Sequence, residues 1–482
     1  MSLKNKSKQA FKWAFLQQIA IVILNLTVSI LMARILSPKD FGLIGMIAVF
    51  IAVGRVLMSG GLGASIIRTK QPSHRELSTV FVTNLCFSLF FYIVIYFLAP
   101  FIATFFEKLV LVKIIRIYSL VIIIFSFTAV QLAKLTQELN FKLAMKLKIP
   151  SIILGGIVGI SMGKTGFGVW SLIAMYLIQA FSDSILLWYF SGWRPSFKFC
   201  TKDFKKHFNF GVNITLVGVL NSLFDNIYNI VIGRYFSPVQ LGYYTRSLTL
   251  SQIPVYNLQE VITKVSYPVL SRIQDQDERL KMTYRKIIQV TMLVIYPILA
   301  IGLILAKPLF RFFLTEKWLP AVPYFQLLCV AGLFLPLIKN NINILMVKGN
   351  SKLILRLGVL EKIIISLGVL FIYEFGIFYL MYFQIFSAGC FFLLYAKYCG
   401  NAIKYGVILQ FNDFFKIVLI TSLTGVIGYY ACRYISGKYN DLLVILLITF
   451  LYIGLYLLFT FLFLKGTFKE VKNLIFKSNG FR

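Results

Sequence analysis

The stretch LLVILLITFLYIGLYLLFTFLFL, residues 442–464, decides the fold class of this chain. It holds 23 consecutive positions without a charged side chain. Because the hydrocarbon core of a bilayer is about 30 Å thick, a helix of about 20 apolar residues crosses it. The stretch therefore predicts a transmembrane helix.

The composition extends this prediction to the whole chain. Of its 482 residues, 59% are hydrophobic and 14% are charged, whereas about 25% of the residues of soluble domains carry charge. The formal net charge of +32 would indicate nucleic-acid binding in a soluble protein. In a membrane protein, Lys and Arg collect in cytoplasmic loops instead. The sequence thus predicts an all-α integral membrane protein that does not bind nucleic acid.

Uninterrupted apolar runs predict about 14 transmembrane helices. No small-residue cleavage site follows the first run, which indicates an uncleaved first helix rather than a signal peptide. The predicted spans are residues 13–33, 41–66, 77–106, 114–133, 149–163, 165–193, 208–232, 241–265, 287–306, 318–338, 353–373, 375–396, 414–435 and 442–464.

The distribution of Lys and Arg gives these spans an orientation. With the N-terminus in the cytoplasm, and with every charge inside a span except Arg55 counted in the nearer segment, the segments assigned inside hold 35 Lys and Arg residues and those assigned outside hold 13. This bias predicts that both termini are cytoplasmic. No loop is long enough for a catalytic domain, which favours a transporter over an enzyme such as a polysaccharide polymerase or ligase. No catalytic residues are therefore expected.

An internal repeat at an offset of 200 residues organises the spans. SILMARILSPKDFG, residues 29–42, matches NIVIGRYFSPVQLG, residues 229–242, and in both copies Ser-Pro suits the turn before the next helix. Six spans separate the copies, so both halves cross the membrane in the same direction. This predicts two helical bundles related by a pseudo-two-fold axis along the membrane normal, with the domains 1–200, 201–400 and, for the last two predicted helices and a cytoplasmic tail, 401–482.

Several stretches resemble a known transporter family. These are ARILSPKDFGLIGM (33–46), GGLGASIIR (60–68), ELSTVFVTN (76–84), QELNFKLAMK (137–146), IGRYFSPVQLGYYTRS (232–247), YPVLSRIQDQDERL (267–280) and EKWLPAVPYFQLL (316–328). They are similar to the polysaccharide transporter family of the multidrug/oligosaccharidyl-lipid/polysaccharide flippase superfamily, which includes O-antigen, colanic-acid-type and teichuronic-acid-type exporters.

The resemblance implies two six-helix lobes that rock to give alternating access. It also implies a polyprenyl-pyrophosphate-linked oligosaccharide as cargo, a bacterial cytoplasmic membrane as location, and membrane lipids and the polymerase or glycosyltransferases of the same pathway as partners. An alternative with the same architecture is a cation-coupled exporter of drugs or other small molecules. The family often carries an acidic residue where this chain has Tyr228, and Asp225 is a candidate substitute.

Four residues are candidates for cargo binding. An ionisable group inside a span costs about 2.5–3.5 kcal/mol on insertion scales and usually faces protein or a wet cavity. Arg55 therefore either contacts the pyrophosphate, whose oxygens match the guanidinium fork, or forms a structural ion pair. Arg246 is a second phosphate candidate. Asn213 and Asn221, two turns apart, either bind sugar hydroxyls or join helices.

Five further residues are candidates for gating or ion coupling. Asp183 and Asp225 either bind a driving proton or sodium ion or pair with Arg55 or Arg234. The repeated Arg34 and Arg234 suit a gate or a structural role at a helix end. Glu260 either takes part in coupling or pairs with Lys264 one turn later.

Metal and cofactor binding are not expected. The six cysteines are scattered without CxxC spacing and the two histidines, His74 and His207, lie far apart in the sequence. Coupling to a proton or sodium gradient is left open.

Overall fold

The computed structural model describes residues 3–464, nearly all of them in helices joined by short turns, and this range contains no β-strand. The predicted C-terminal tail after residue 464 lies outside the described residues. Contacts divide the chain after Gly242 into two compact units, here called the first and second units. The predicted domain boundaries at residues 200 and 400 stay a prediction.

The first unit contains ten helices and the start of an eleventh within the described residues. They are α1 (Leu3–Ile35), α2 (Pro38–Ser59), α3 (Leu62–Arg68), α4 (His74–Phe105), α5 (Val110–Tyr118), α6 (Leu120–Gln137), α7 (Phe141–Lys164), α8 (Val169–Phe190), α9 (Thr201–Asp225), α10 (Ile227–Tyr235) and the first residues of α11 (Pro238–Arg272).

The second unit holds the remainder of α11 and the helices that follow it. They are α12 (Asp277–Ile304), α13 (Ala306–Leu309), α14 (Val322–Gly332), α15 (Phe334–Val347), α16 (Ser351–Ile372), α17 (Ile377–Ile403), α18 (Val407–Ile435) and α19 (Asp441–Phe463). A buried core joins α12, α15, α17 and α18, in which the hydroxyl of Tyr284 donates to Oδ1 of Asn341 at 2.9 Å.

The all-helical membrane architecture is confirmed, whereas the count of fourteen spans is not. Among the described residues, eleven helices are long and apolar enough to cross a membrane, or twelve if α9 and α10 form one bent span. The predicted spans 241–265 and 353–373 coincide with α11 and α16, but these two helices carry charges, including Glu260 and Glu361. Because of their charged and polar residues, α11 and α16 are not among the eleven apolar helices.

The repeated sequence builds the same helix start twice. In the first copy, the backbone N–H of Ser37 donates to Oδ2 of Asp40 at 3.0 Å. In the second copy, the N–H of Ser237 donates to Oε1 of Gln240 at 3.2 Å, and the N–H of Gln240 donates back to Oγ of Ser237. These are capping boxes with proline as the first helical residue. The repeat is therefore a structural repeat.

Glycines allow α7 to pack closely in the first unit. A methyl group at Gly155 would lie 2.7 Å from the carbonyl oxygen of Met175 in α8, and one at Gly156 would lie 2.8 Å from Val28 in α1. Small residues at such spacing let helix backbones approach in membranes. The helix is longer than the predicted span 149–163, since it already begins at Phe141.

The predicted span 208–232 coincides with a bent pair of helices, because the helix breaks after Asp225. α9 and α10 meet at an angle of 41°. At the break, the side-chain amide of Asn226 donates to the carbonyl oxygen of Ser222 at 2.9 Å and accepts from Asn229. Such local bonds compete with the helix. Asp225 ends α9 whereas Tyr228 lies in α10, so the break separates the two residues into different helices.

Candidate functional site

Arg55 lies inside the apolar helix α2 and points toward another helix of the first unit. Its guanidinium carbon lies 4.1 Å from the ring centroid of Phe125 in α6, and the neighbouring Gly54 packs on Ile122 of the same helix. The arginine side chain nevertheless keeps an accessible surface. A cation held over an aromatic ring is stabilised without losing its hydrogen-bond donors. The guanidinium N–H groups of Arg55 are therefore available to bind an anion.

The two repeat copies touch each other at one end of α2. A methyl group at Gly42 would overlap the carbonyl oxygen of Pro238, and a methyl group at Gly242 would overlap the carbonyl oxygen of Pro38. The contact, called here the Gly42–Gly242 contact, is thus reciprocal and is made by backbone alone. Sequence analysis aligned these residues but did not predict that they meet.

A second glycine contact lies at the other end of α2. Gly61 adopts a left-handed φ of +64°, and a side chain there would overlap the backbone of Gly211 in α9. A methyl group at Gly211 would in turn overlap the carbonyl oxygen of Gly60. This Gly61–Gly211 contact was not predicted either, although the Gly60-Gly61 pair is a signal for a close approach.

Polar side chains surround the Gly61–Gly211 contact. Oγ of Ser65 lies 2.8 Å from Nδ1 of the fully buried His207. Oε1 of Glu76 lies 2.6 Å from Nζ of Lys206 and 3.8 Å from Nε2 of His207. These contacts tie the start of α9 to α3 and α4. The histidine is buried and bonded, which suits a structural role rather than a catalytic one.

Asp183 has a structural partner that the sequence did not reveal. Its Oδ2 lies 2.9 Å from Nζ of Lys148 in α7, and its side chain is 6% exposed. The hypothesis that Asp183 pairs with Arg55 or Arg234 is therefore wrong. Lys148 was overlooked because it follows Lys142 and Lys146 in a basic stretch that is typical of a membrane surface.

The Lys148–Asp183 pair leads to a charge-exchange prediction. We expect Asp183→Asn to lower the apparent melting temperature, because Lys148 then loses the partner of its partly buried charge. The exchange Lys148→Asp with Asp183→Lys is expected to recover most of that loss. Thermal unfolding of the purified variants measures both effects. If Asp183 binds a coupling ion instead, the exchange restores neither stability nor transport.

The remaining candidates of the first unit lie at helix ends or on exposed faces. Arg34 is exposed at the end of α1, whereas Arg234 forms an ion pair of 2.5 Å with Glu107. Asn213, Asn221 and Asp225 have exposed side chains on α9. α9 packs against α2 next to Arg55, since a methyl group at Gly218 would lie 2.8 Å from the side chain of Val56.

Two candidates lie in the second unit, both on α11. Arg246 is 8% exposed and is followed by Ser247, whose hydroxyl donates to the carbonyl oxygen of Ala321 at 3.0 Å. Glu260 and Lys264 form an ion pair of 2.6 Å in which each side chain is about half exposed. The pairing alternative for Glu260 is the one that the structure shows.

An apolar cavity of about 650 Å³ lies in the second unit. It is lined mainly by aliphatic and aromatic side chains of α12, α14, α15, α17 and α18, among them Leu299, Val330, Phe334, Phe392 and Phe414. Its volume falls in the range of about 300–1,000 Å³ that is typical of small-molecule sites. The lining suits a hydrocarbon ligand.

Within residues 3–464, no group of three or more His, Cys, Asp or Glu side chains is arranged to hold a metal ion.

Comparison with known sequences shows one family and several relatives. Residues 31–323 match the family described as polysaccharide biosynthesis protein. The chain is 29% identical to an uncharacterised membrane protein in the cps region of Klebsiella pneumoniae, over 77% of both chains. It is 26% identical to the lipopolysaccharide biosynthesis protein WzxC of Escherichia coli, over 69% of this chain and 68% of that one. It is also 26% identical to the teichuronic acid biosynthesis protein TuaB of Bacillus subtilis, over 73% of both.

Comparison with solved structures shows the fold. The lipid II flippase MurJ in an inward closed conformation superposes with a TM-score of 0.72 at 18% identity, over 94% of this chain and 99% of that one. A MATE family multidrug transporter of the MOP superfamily superposes with a TM-score of 0.59 at 17% identity, over 81% and 99%. The chain therefore shares the fold of these two proteins.

Proposed function

Because the chain belongs to the polysaccharide biosynthesis protein family, we propose that it flips polyprenyl-pyrophosphate-linked oligosaccharides, the repeat units of O-antigen or exopolysaccharide, from the cytoplasmic to the outer leaflet of the bacterial cytoplasmic membrane. The names of its relatives place them in lipopolysaccharide and teichuronic acid biosynthesis. The fold shared with a lipid II flippase supports a lipid-linked cargo.

Arg55 is the observation that carries this proposal. The cargo head group bears a pyrophosphate, which must leave water to cross the bilayer. Arg55 supplies a cation within an apolar helix and is held over Phe125 with its side chain still accessible. The planar guanidinium matches phosphate oxygens in a bidentate geometry. Arg55 therefore binds the pyrophosphate during passage, and the buried Arg246 is the proposed second phosphate contact.

The lipid tail needs a different environment from the head group. The polyprenyl chain is a hydrocarbon and gains nothing from leaving an apolar surrounding. The apolar cavity of the second unit offers aliphatic and aromatic walls that suit one stretch of this chain. The exposed Asn213 and Asn221 are the proposed contacts for sugar hydroxyls.

The two glycine contacts provide a basis for alternating access. They lie at opposite ends of α2, so one of them can part while the other stays closed. The closest approach in both contacts is between backbone atoms, and parting of the Gly61–Gly211 contact would also separate the Glu76–Lys206 ion pair beside it. Opening the two contacts in turn would expose the cargo route to one side of the membrane at a time, with Arg34 and Arg234 as the proposed gating residues.

We propose that both termini are cytoplasmic, as the distribution of Lys and Arg indicates. The partners are then the glycosyltransferases that build the cargo on the cytoplasmic side and a polymerase that uses it outside. The protein breaks no covalent bond of its cargo. If a proton or sodium gradient drives transport, Asp183 is the poorer coupling residue, because Lys148 already neutralises it, and Asp225 is the other candidate.

Reconstitution in vesicles tests this function against drug export. We expect the purified protein to move a fluorescent polyprenyl-pyrophosphate-linked oligosaccharide from one leaflet to the other, measured by quenching with a membrane-impermeant reductant. Vesicles without protein are the control. Uptake of a small cationic drug driven by an ion gradient, without any movement of the lipid-linked sugar, would show that the protein is a drug exporter instead.

A further inference from the structure

A groove opens on the surface of the first unit between α6 and α8. It has a volume of about 560 Å³ and is lined by Ile124, Phe127, Phe181, Ile185, Trp188 and Arg194, among others. We call it the α6–α8 groove. Trp188 is fixed in it, because its indole N–H donates to the carbonyl oxygen of Phe127 at 2.8 Å.

One face of α8 forms the long wall of this groove. Phe181, Ile185, Trp188 and Tyr189 recur at the spacing of a single helical face. From Phe181 to Tyr189 the helix rises by about 12 Å, at 1.5 Å per residue. Phe181 and Ile185 are 54% and 52% exposed, so no other part of the described chain covers them. The wall suits a hydrocarbon chain that lies parallel to α8.

Arg194 places a cation at the end of the groove. The segment that carries Arg194 is bonded to α4. Nε2 of His74 donates to the carbonyl oxygen of Arg194 at 3.1 Å, and the N–H of Ser196 donates to Oγ of Ser78. The adjacent Trp193 is 4% exposed. Within residues 3–464, no carboxylate forms an ion pair with Arg194. The guanidinium is thus positioned but has no acidic partner there.

We propose that the α6–α8 groove binds one anionic glycerophospholipid, whose acyl chain lies along Phe181, Ile185 and Trp188 and whose phosphate binds Arg194. The distribution of Lys and Arg assigns this end of α8 to the cytoplasmic side, where anionic lipids attract basic residues. The lining contains no acidic side chain in the described part of the chain, so a net negative head group is favoured. A single guanidinium fork matches one phosphodiester. The site does not depend on the function proposed above.

Native mass spectrometry with an equal mixture of phosphatidylglycerol and phosphatidylcholine of identical acyl chains tests the site. We expect the wild-type protein to retain one phosphatidylglycerol with a preference of about tenfold, as for a charge-assisted hydrogen bond to phosphate. Arg194→Gln should reduce that preference to about one. The matched control Lys198→Gln, which removes a nearby exposed cation outside the groove, should keep the wild-type preference.

A second variant tests the groove without changing its charge. Ile185→Trp fills the wall and should lower the retention of both lipids, and gel filtration checks that each variant is monodisperse. The proposal is overturned if Arg194→Gln keeps the preference, if Lys198→Gln loses it equally, or if Ile185→Trp retains both lipids as the wild type does. Displacement of the bound phosphatidylglycerol by an equimolar polyprenyl pyrophosphate would overturn it too, since the occupant would then be the cargo.

Discussion

We expect the replacement of Arg55 by alanine to abolish surface polysaccharide while the amount of protein in the membrane stays unchanged. The variant loses the charge-assisted hydrogen bonds to the pyrophosphate, which corresponds to a loss of about tenfold or more in affinity. The phosphate charge then has no compensating cation where it passes α2. The flipping rate of the lipid-linked oligosaccharide in vesicles measures the effect directly. Arg55→Lys keeps the charge but loses the fork, so we expect intermediate transport.

Arg116→Ala is the matched control for Arg55→Ala. The guanidinium carbon of Arg116 lies 4.2 Å from the ring centroid of Tyr96, so this change removes a contact of the same kind as that between Arg55 and Phe125. We expect it to leave flipping near the wild-type rate. Normal surface polysaccharide in the Arg55→Ala strain would refute the phosphate role, as would an equal loss in Arg116→Ala.

A single methyl group at Gly42 is expected to reduce transport about tenfold or more. In Gly42→Ala, the new methyl overlaps the carbonyl oxygen of Pro238, so the Gly42–Gly242 contact cannot close. Overpacking of this kind costs about 1–3 kcal/mol, and about 1.4 kcal/mol shifts an equilibrium tenfold. The closed end is therefore less populated and the transport cycle stalls. The vesicle assay measures the rate and thermal unfolding measures the stability.

Gly358→Ala is the control for the Gly42 variant. Among the described atoms, none lies within 4 Å of a methyl group at Gly358, so we expect wild-type transport. Gly242→Ala should reproduce the transport defect. The double variant Gly42→Ala/Gly242→Ala should lose less transport than the two single variants do together, because both changes open the same contact. Wild-type flipping by both single glycine variants would show that this contact does not limit the cycle.

Periodic and repeated features of the sequence predicted the architecture. Long apolar runs gave the helices, since the bilayer requires a minimum length of apolar chain whatever the packing. The matching Ser37 and Ser237 correctly marked two equivalent helix starts, because a capping box depends only on residues within one turn. Local rules of this kind can be read without knowing the fold.

Contacts between distant helices could not be predicted in the same way. Lys148 and Asp183 are 35 positions apart, and the sequence does not show that Lys148, just before the predicted span 149–163, meets Asp183 inside the span 165–193. The approach of Gly61 to Gly211 depends on how α2 and α9 cross. The break at Asn226 was missed because apolar residues continue on both sides of the polar pair Asp225-Asn226. Arg55 was found because a charge in an apolar run stands out without any partner.

The two capping boxes also make the repeat copies electrically unequal. Asp40 places a carboxylate in the first turn of α2, whereas the first turn of α11 holds the neutral Gln240 and no acidic residue. A carboxylate offsets the positive end of the helix dipole, and an amide leaves it in place. The duplicated ends therefore share one shape but differ in their charges: the first turn of α2 carries both Lys39 and Asp40, whereas the first turn of α11 carries neither a cation nor an anion.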